Sequence, residues 1–104
     1  MDAGELLKQV KQAVLELESG AEIILYGSRS RGDAIAESDW DFLVLVDGVV
    51  DDQRTDKIRH RLYEIEWETG EVLSTIVRSR REWDRFPYRA MPIHERIAAE
   101  GTRL

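Results

Sequence analysis

Gly27-Ser28 is followed by ten residues and then by Asp39-Trp40-Asp41, within the run GSRSRGDAIAESDWD. On a strand, alternate side chains share a face, so Asp39 and Asp41 project together. Carboxylates are hard oxygen ligands suited to Mg²⁺, an ion that keeps waters and substrate phosphates in its shell. A glycine directly after a strand permits a tight turn and brings backbone N–H groups close to phosphate oxygens. Ser28 adds a hydroxyl donor at the same place. Gly27, Ser28, Asp39 and Asp41 thus have the chemistry of a magnesium–nucleotide site. Two ions about 3.5–4 Å apart would stabilise both attacking and leaving oxygens of a displacement. Arg29 and Arg31 either face the triphosphate or keep the loop soluble. Gly-Ser alone is an ordinary turn, and either Asp alone is a cap or a solubility device. Their joint placement before an apolar strand is what favours a site.

The elements that must position these residues follow from periodicity. Leu6, Leu7, Val10, Ala13, Val14 and Leu17 recur at helical spacing, which predicts an amphipathic helix over 3–19, with Gly20 at its stop. Ile23 to Tyr26 reads as a short buried strand broken by Gly27. Residues 28–37 are turn-rich with a brief helical turn, and Asp39 to Val46 is a second strand closed by Asp47-Gly48. Ile58, Leu62 and Ile65 mark a helix over 51–68 that ends at Gly70. Val72 to Val77 is a third strand of β-branched character. Ser79 caps a turn through Trp83, and Ile93 to Glu100 is a terminal helix stopped at Gly101. The order helix, strand, strand, helix, strand, helix predicts a small α/β sheet domain with helices packed on one face. Trp40, between the two aspartates, faces away from the metal and under the helices. Trp67 and Trp83 are expected in the core or at an interface.

With 104 residues, the chain is expected to be a single domain over 1–104. Hydrophobic content of 42% and charged content of 35% indicate a soluble globular chain. The apolar runs fall far short of a membrane span, the first residues do not resemble a signal peptide, and there is no cysteine. A cytoplasmic location is the default expectation. Net charge of −6 argues against general nucleic-acid affinity. Basic residues concentrate late, at Arg78, Arg80, Arg81, Arg85 and Arg89, as a solvated surface or a docking face for an acidic partner. His60 and His94 have no second ligand at zinc spacing and read as surface or packed histidines. Walker, Rossmann and Ser-His-Asp patterns are absent, which sets aside P-loop hydrolysis, dinucleotide redox and acyl transfer.

The pattern resembles the minimal nucleotidyltransferases of the DNA polymerase β-like superfamily, whose signature is Gly-Ser, ten residues, Asp-x-Asp. Gly27, Ser28, Asp39 and Asp41 match it. Ser38 before the first Asp and the Arg29-to-Asp33 run also fit. The resemblance implies a mixed α/β (α+β) fold and Mg²⁺-dependent transfer of AMP from ATP. Asp39 and Asp41 would be the catalytic metal ligands, and Gly27, Ser28, Arg29, Arg31 and Ser38 the nucleotide-binding set. It further implies a partner, the helical HEPN protein of toxin–antitoxin pairs, with this chain as the antitoxin that adenylylates a tyrosine of a ribonuclease toxin. One departure stands out. Family members usually carry a third carboxylate on the strand after the helix, where this chain has Ser74 and Thr75, with Glu71 at the strand's mouth. The alternative is therefore a catalytically impaired module that neutralises its partner by contact. A small-molecule nucleotidyltransferase is a third reading, requiring an acceptor pocket that only a homo-oligomer would complete.

Overall fold

A computed structural model describes residues 2–104. The first helix, α1 (Ala3–Leu17), starts on Asp2, whose carboxylate accepts from the Glu5 backbone N–H at 2.8 Å. Strand β1 (Glu22–Tyr26) leads into α2 (Ser28–Arg31), one turn of helix closed by Gly32 in the left-handed region. Strand β2 (Trp40–Val46) follows, then α3 (Asp52–Thr69), capped by Asp51 and ended by left-handed Gly70. After β3 (Leu73–Ser79), the Ser79 hydroxyl caps α4 (Arg80–Trp83) through the Glu82 N–H, as the sequence predicted. A short 3₁₀ turn (Tyr88–Ala90) precedes α5 (Pro92–Glu100) and β4 (Thr102–Arg103).

The sheet order is β3-β2-β1-β4. β1 lies antiparallel to both β2 and β4, while β2 and β3 are parallel. A parallel pair needs a long crossover, and α3 supplies it. Its amphipathic stripe, Ile58, Leu62 and Ile65, packs with Leu6, Val10 and Val14 of α1 over Phe42, Val44, Val46 and Val77. Trp40 belongs to this core and is 5% exposed, the placement its alternation with the aspartates predicted.

The two long helices cover one face, but α5 departs from the expectation of helices on one face. Ile97 and Trp83 join Tyr26, Leu43 and Leu45 in a second apolar cluster on the other face. Leu43 and Leu45 alternate with Phe42 and Val44, so β2 has apolar residues on both sides and both need cover. Trp67 also departs from expectation where the core was concerned: it is 75% exposed on α3. Among the described residues no helix is long and apolar enough to cross a membrane.

Candidate active site

The carboxyl end of β1 and the start of β2 lie side by side, with Tyr26 opposite Asp41. Thirteen residues connect them, and these carry the Gly-Ser to Asp-x-Asp segment. The connection is held by its own groups. The Gly27 carbonyl accepts from Ser30 N and Arg31 N, and the Ser28 carbonyl accepts from Gly32 N and Asp33 N. Arg29 donates to the carbonyls of Ala36 and Ser38 at 3.0–3.3 Å, and its guanidinium lies 4.4 Å over the Trp40 ring. The Ser38 hydroxyl accepts from Ile35 N at 3.0 Å. Arg29 and Ser38 are thus occupied in shaping the loop.

Gly27 has φ +77° and is buried. A side chain there would run into the Asp41 carboxylate, so the turn and the acid are in direct contact. Trp40 N donates to the Val72 carbonyl at 2.9 Å, which fixes where β2 begins and leaves Asp39 exposed just before it. Asp41 is half-buried. Its pKa is pushed up, first by burial and then by the neighbouring Asp39 charge; Arg31 opposes this and Glu100 adds to it. Burial, and secondarily Asp41, also raises the pKa of Tyr26, keeping that phenol neutral.

Among the described hydrogen bonds and ion pairs, none engages the Asp39 or Asp41 carboxylates. Two neighbouring acids with no hydrogen-bond or ion-pair partner among the described contacts are a fitting donor set for a hard divalent cation that takes its remaining ligands from water and phosphate. No group of three His, Cys, Asp or Glu positioned to hold a metal occurs among the described residues. On the neighbouring strand the residue beside the pair is Ser74. It stands opposite Asp41 in the parallel register, where a third acid was sought. Glu71 does not replace it: its carboxylate accepts from Trp40 Nε1 at 3.1 Å and lies 3.9 Å from Arg29, on the side away from Asp41.

The Gly27 amide, expected to face phosphate, donates instead to Glu100 Oε1 at 3.2 Å. Arg31 Nη1 bonds both Glu100 oxygens, at 3.2 and 3.1 Å, and Arg31 Nε donates to Asp33 at 3.2 Å. These bonds, Glu100's foremost, raise the arginine's pKa further. Glu100 escaped sequence reasoning because it lies 73 residues from Gly27, as the last residue of a terminal helix, with no spacing to flag it.

The histidines stand apart from the site. His60 is exposed on α3, 3.9 Å from Glu64, and His94 stacks on Trp83 with centroids 4.8 Å apart. In the basic segment, Arg80 is tied to Asp47 and the Gly20 carbonyl, whereas Arg81, Arg85 and Arg89 are exposed.

A solved structure described as "Crystal structure of the toxin-antitoxin with AMP-PNP" superposes with a TM-score of 0.61, covering 99% of this chain and 72% of that one. The two share 16% identity, so the likeness is one of fold. No curated protein matches the chain. The family model for the nucleotidyltransferase domain matches residues 7–99, from the first turns of α1 to the end of α5. With that span enclosing the Gly27–Asp41 turn and every strand except β4, the chain belongs to the nucleotidyltransferase domain family.

Proposed function

We propose that this domain transfers AMP from ATP to a protein acceptor in a Mg²⁺-dependent reaction. The carrying observation is the unneutralised Asp39–Asp41 pair packed against a side-chain-free Gly27. Asp39 and Asp41 would hold the ion, which when bound supplies charge neutralisation on the triphosphate and activation of the attacking oxygen. Gly27 contributes by its missing side chain, which lets the phosphate turn sit on Asp41. Ser28 would offer its hydroxyl at the head of α2, and Arg31 a charge that is felt at Asp41. Arg29 and Ser38 hold the loop in shape. Preorganised placement of this kind does most of the work in phosphoryl and nucleotidyl transfer.

A protein acceptor is supported by the surface beside β3. A groove lined by Arg59, Tyr63, Glu66, Leu73, Ser74 and Thr75 runs next to the strand that neighbours Asp41. Tyr63 and Trp67 stand edge to face on α3, 6.1 Å apart and both exposed. Exposed aromatic pairs of this type are frequent anchors of protein interfaces. The neighbouring structure is a toxin–antitoxin complex with a nucleotide analogue. The partner we propose for this chain is a helical HEPN-type toxin, which this chain modifies as antitoxin in the cytoplasm.

One observation favours a second reading. Ser74 faces Asp41 where an acid would accept the acceptor's proton, so the domain would neutralise its partner by binding alone. Calorimetric titration separates the two at the first step. ATP binding that needs Mg²⁺ and is lost in Asp39→Asn supports the enzyme reading; partner binding without any ATP affinity overturns it.

A further inference from the structure

Glu100 reaches the site from the far end of the chain. It closes α5 where Gly101 N donates to the Ile97 carbonyl at 2.8 Å. Gly101 has no room for a side chain: a Cβ would lie 2.5 Å from the Ile97 carbonyl oxygen and 2.7 Å from Ile24 Cγ2. The helix end is thereby pressed against β1. The Ser30 hydroxyl bonds the Glu100 carbonyl at 2.6 Å and Thr102 Oγ1 at 2.9 Å, which joins α2 to the same terminal segment. These contacts use backbone and hydroxyl groups, and leave the Glu100 side chain to do something else.

That side chain takes hold of Arg31. A guanidinium has five N–H donors in a rigid plane. The two on Nη1 meet Glu100, and the one on Nε meets Asp33. The pair on Nη2 has no partner among the described contacts. Two carboxylates therefore hold Nε and Nη1 and leave Nη2 open, on an arginine whose charge is felt at the Asp41 carboxylate.

We propose that Glu100 is a positioning residue for the nucleotide, aiming the open edge of Arg31 at the triphosphate while anchoring the Gly27 turn. The inference rests on the magnesium–nucleotide reading of the site. It assigns the phosphate-facing role to Arg31 and withholds it from Arg29, whose guanidinium is spent on Ala36, Ser38 and Trp40. Glu100 itself is no substitute for the absent acid on β3, because its two oxygens are engaged by Arg31 and Gly27.

A double-mutant cycle on MgATP affinity tests the proposal with the full chain. Glu100→Gln keeps the Ser30 and Thr102 contacts and removes the charge that orients Arg31. Its dissociation constant is expected to rise about tenfold, the scale of losing charge-assisted hydrogen bonds. Arg31→Gln should weaken binding at least as much, and the double variant no further, because Glu100 acts through Arg31. Asp33→Asn, an exposed change that leaves the terminal helix untouched, should give a smaller loss that Arg31→Gln likewise masks. Additive losses in either double variant, or wild-type affinity in Glu100→Gln, overturn the proposal. A wild-type protein with no MgATP affinity overturns the reading beneath it as well.

Discussion

Gly27 and Asp41 share a space that admits only one side chain. The positive φ at Gly27 turns the place of its missing side chain onto the Asp41 carboxylate, and this contact joins the turn after β1 to the start of β2. Gly27→Ala must force φ back or displace Asp41. It is expected to lower stability by about 1–3 kcal/mol and to abolish MgATP binding. Thermal melting with parallel ATP titration checks both. An alanine variant that binds normally would show that the contact is dispensable.

Asp41 gives a pH-dependent prediction with an unusual sign. Its folded pKa lies above its unfolded value, chiefly through burial and Asp39, so the fold prefers the protonated acid. The favourable contribution is full below the unfolded value and is lost as pH rises through the raised one. At neutral pH the ionised group therefore weakens the unliganded fold. Asp41→Asn should raise the melting temperature at pH 7, with the gain fading toward about pH 4, while ATP binding is lost. A lower melting temperature at pH 7 would contradict this.

The Glu18–Arg54 pair carries the opposite sign. Arg54 holds both Glu18 oxygens, at 2.8 and 2.6 Å, and ties the end of α1 to the first turn of α3. The hydrogen bonds from Arg54 lower the Glu18 pKa, more than burial raises it. Its stabilisation is present above the unfolded carboxylate value and is lost as pH falls through the depressed one. Glu18→Gln should cost about 1–2 kcal/mol at pH 7 and almost nothing in acid, as read by denaturant titration across pH. An equal cost at both pH values would mean that packing, not charge, joins these helices.

Ser74 offers a gain-of-function test. It is exposed and stands opposite Asp41 on the same face of the sheet. Ser74→Asp places a third carboxylate beside the proposed metal ligands, at an exposed position outside the core. Mg²⁺ affinity should rise and AMP transfer should quicken. Unchanged affinity would show that the ion, if bound, sits away from β3.

The sequence made the scaffold legible where periodicity was strong. Leu6, Val10 and Val14 announced α1, and Ile58, Leu62 and Ile65 announced α3, because each stripe buries on one face of a helix. Ser79 was read correctly as a cap, since a hydroxyl before Glu82 satisfies a helix-start N–H wherever it occurs. Strand β4 was missed. Two residues, Thr102 and Arg103, have no period, and pairing with Ile24 and Leu25 exists only in three dimensions. The side of the sheet taken by α5 was misread for the same reason. Alternation was read with Asp39 as the first strand residue, whereas β2 begins at Trp40 and leaves Asp39 just outside, its charge still felt at Asp41; the Glu100 clamp on Arg31 was not legible, since long-range ion pairs leave no local spacing. Trp67 shows the limit of composition: a tryptophan on a helix reads as core or interface alike, and only its 75% exposure removes the core from the choice.

Transfer of the AMP portion of ATP, the reaction proposed for this domain, is read by following the two ends of the triphosphate separately. Incubation of the purified chain, Mg²⁺ and a helical HEPN-type protein, the partner proposed above, with ATP labelled at the α-phosphate or, separately, at the γ-phosphate reads this out. With AMP transfer, α-label passes to the partner, γ-label does not, and transfer vanishes in the Asp39→Ala/Asp41→Ala variant. Full neutralisation of the partner by that double variant, with neither label transferred by the wild type, would contradict it.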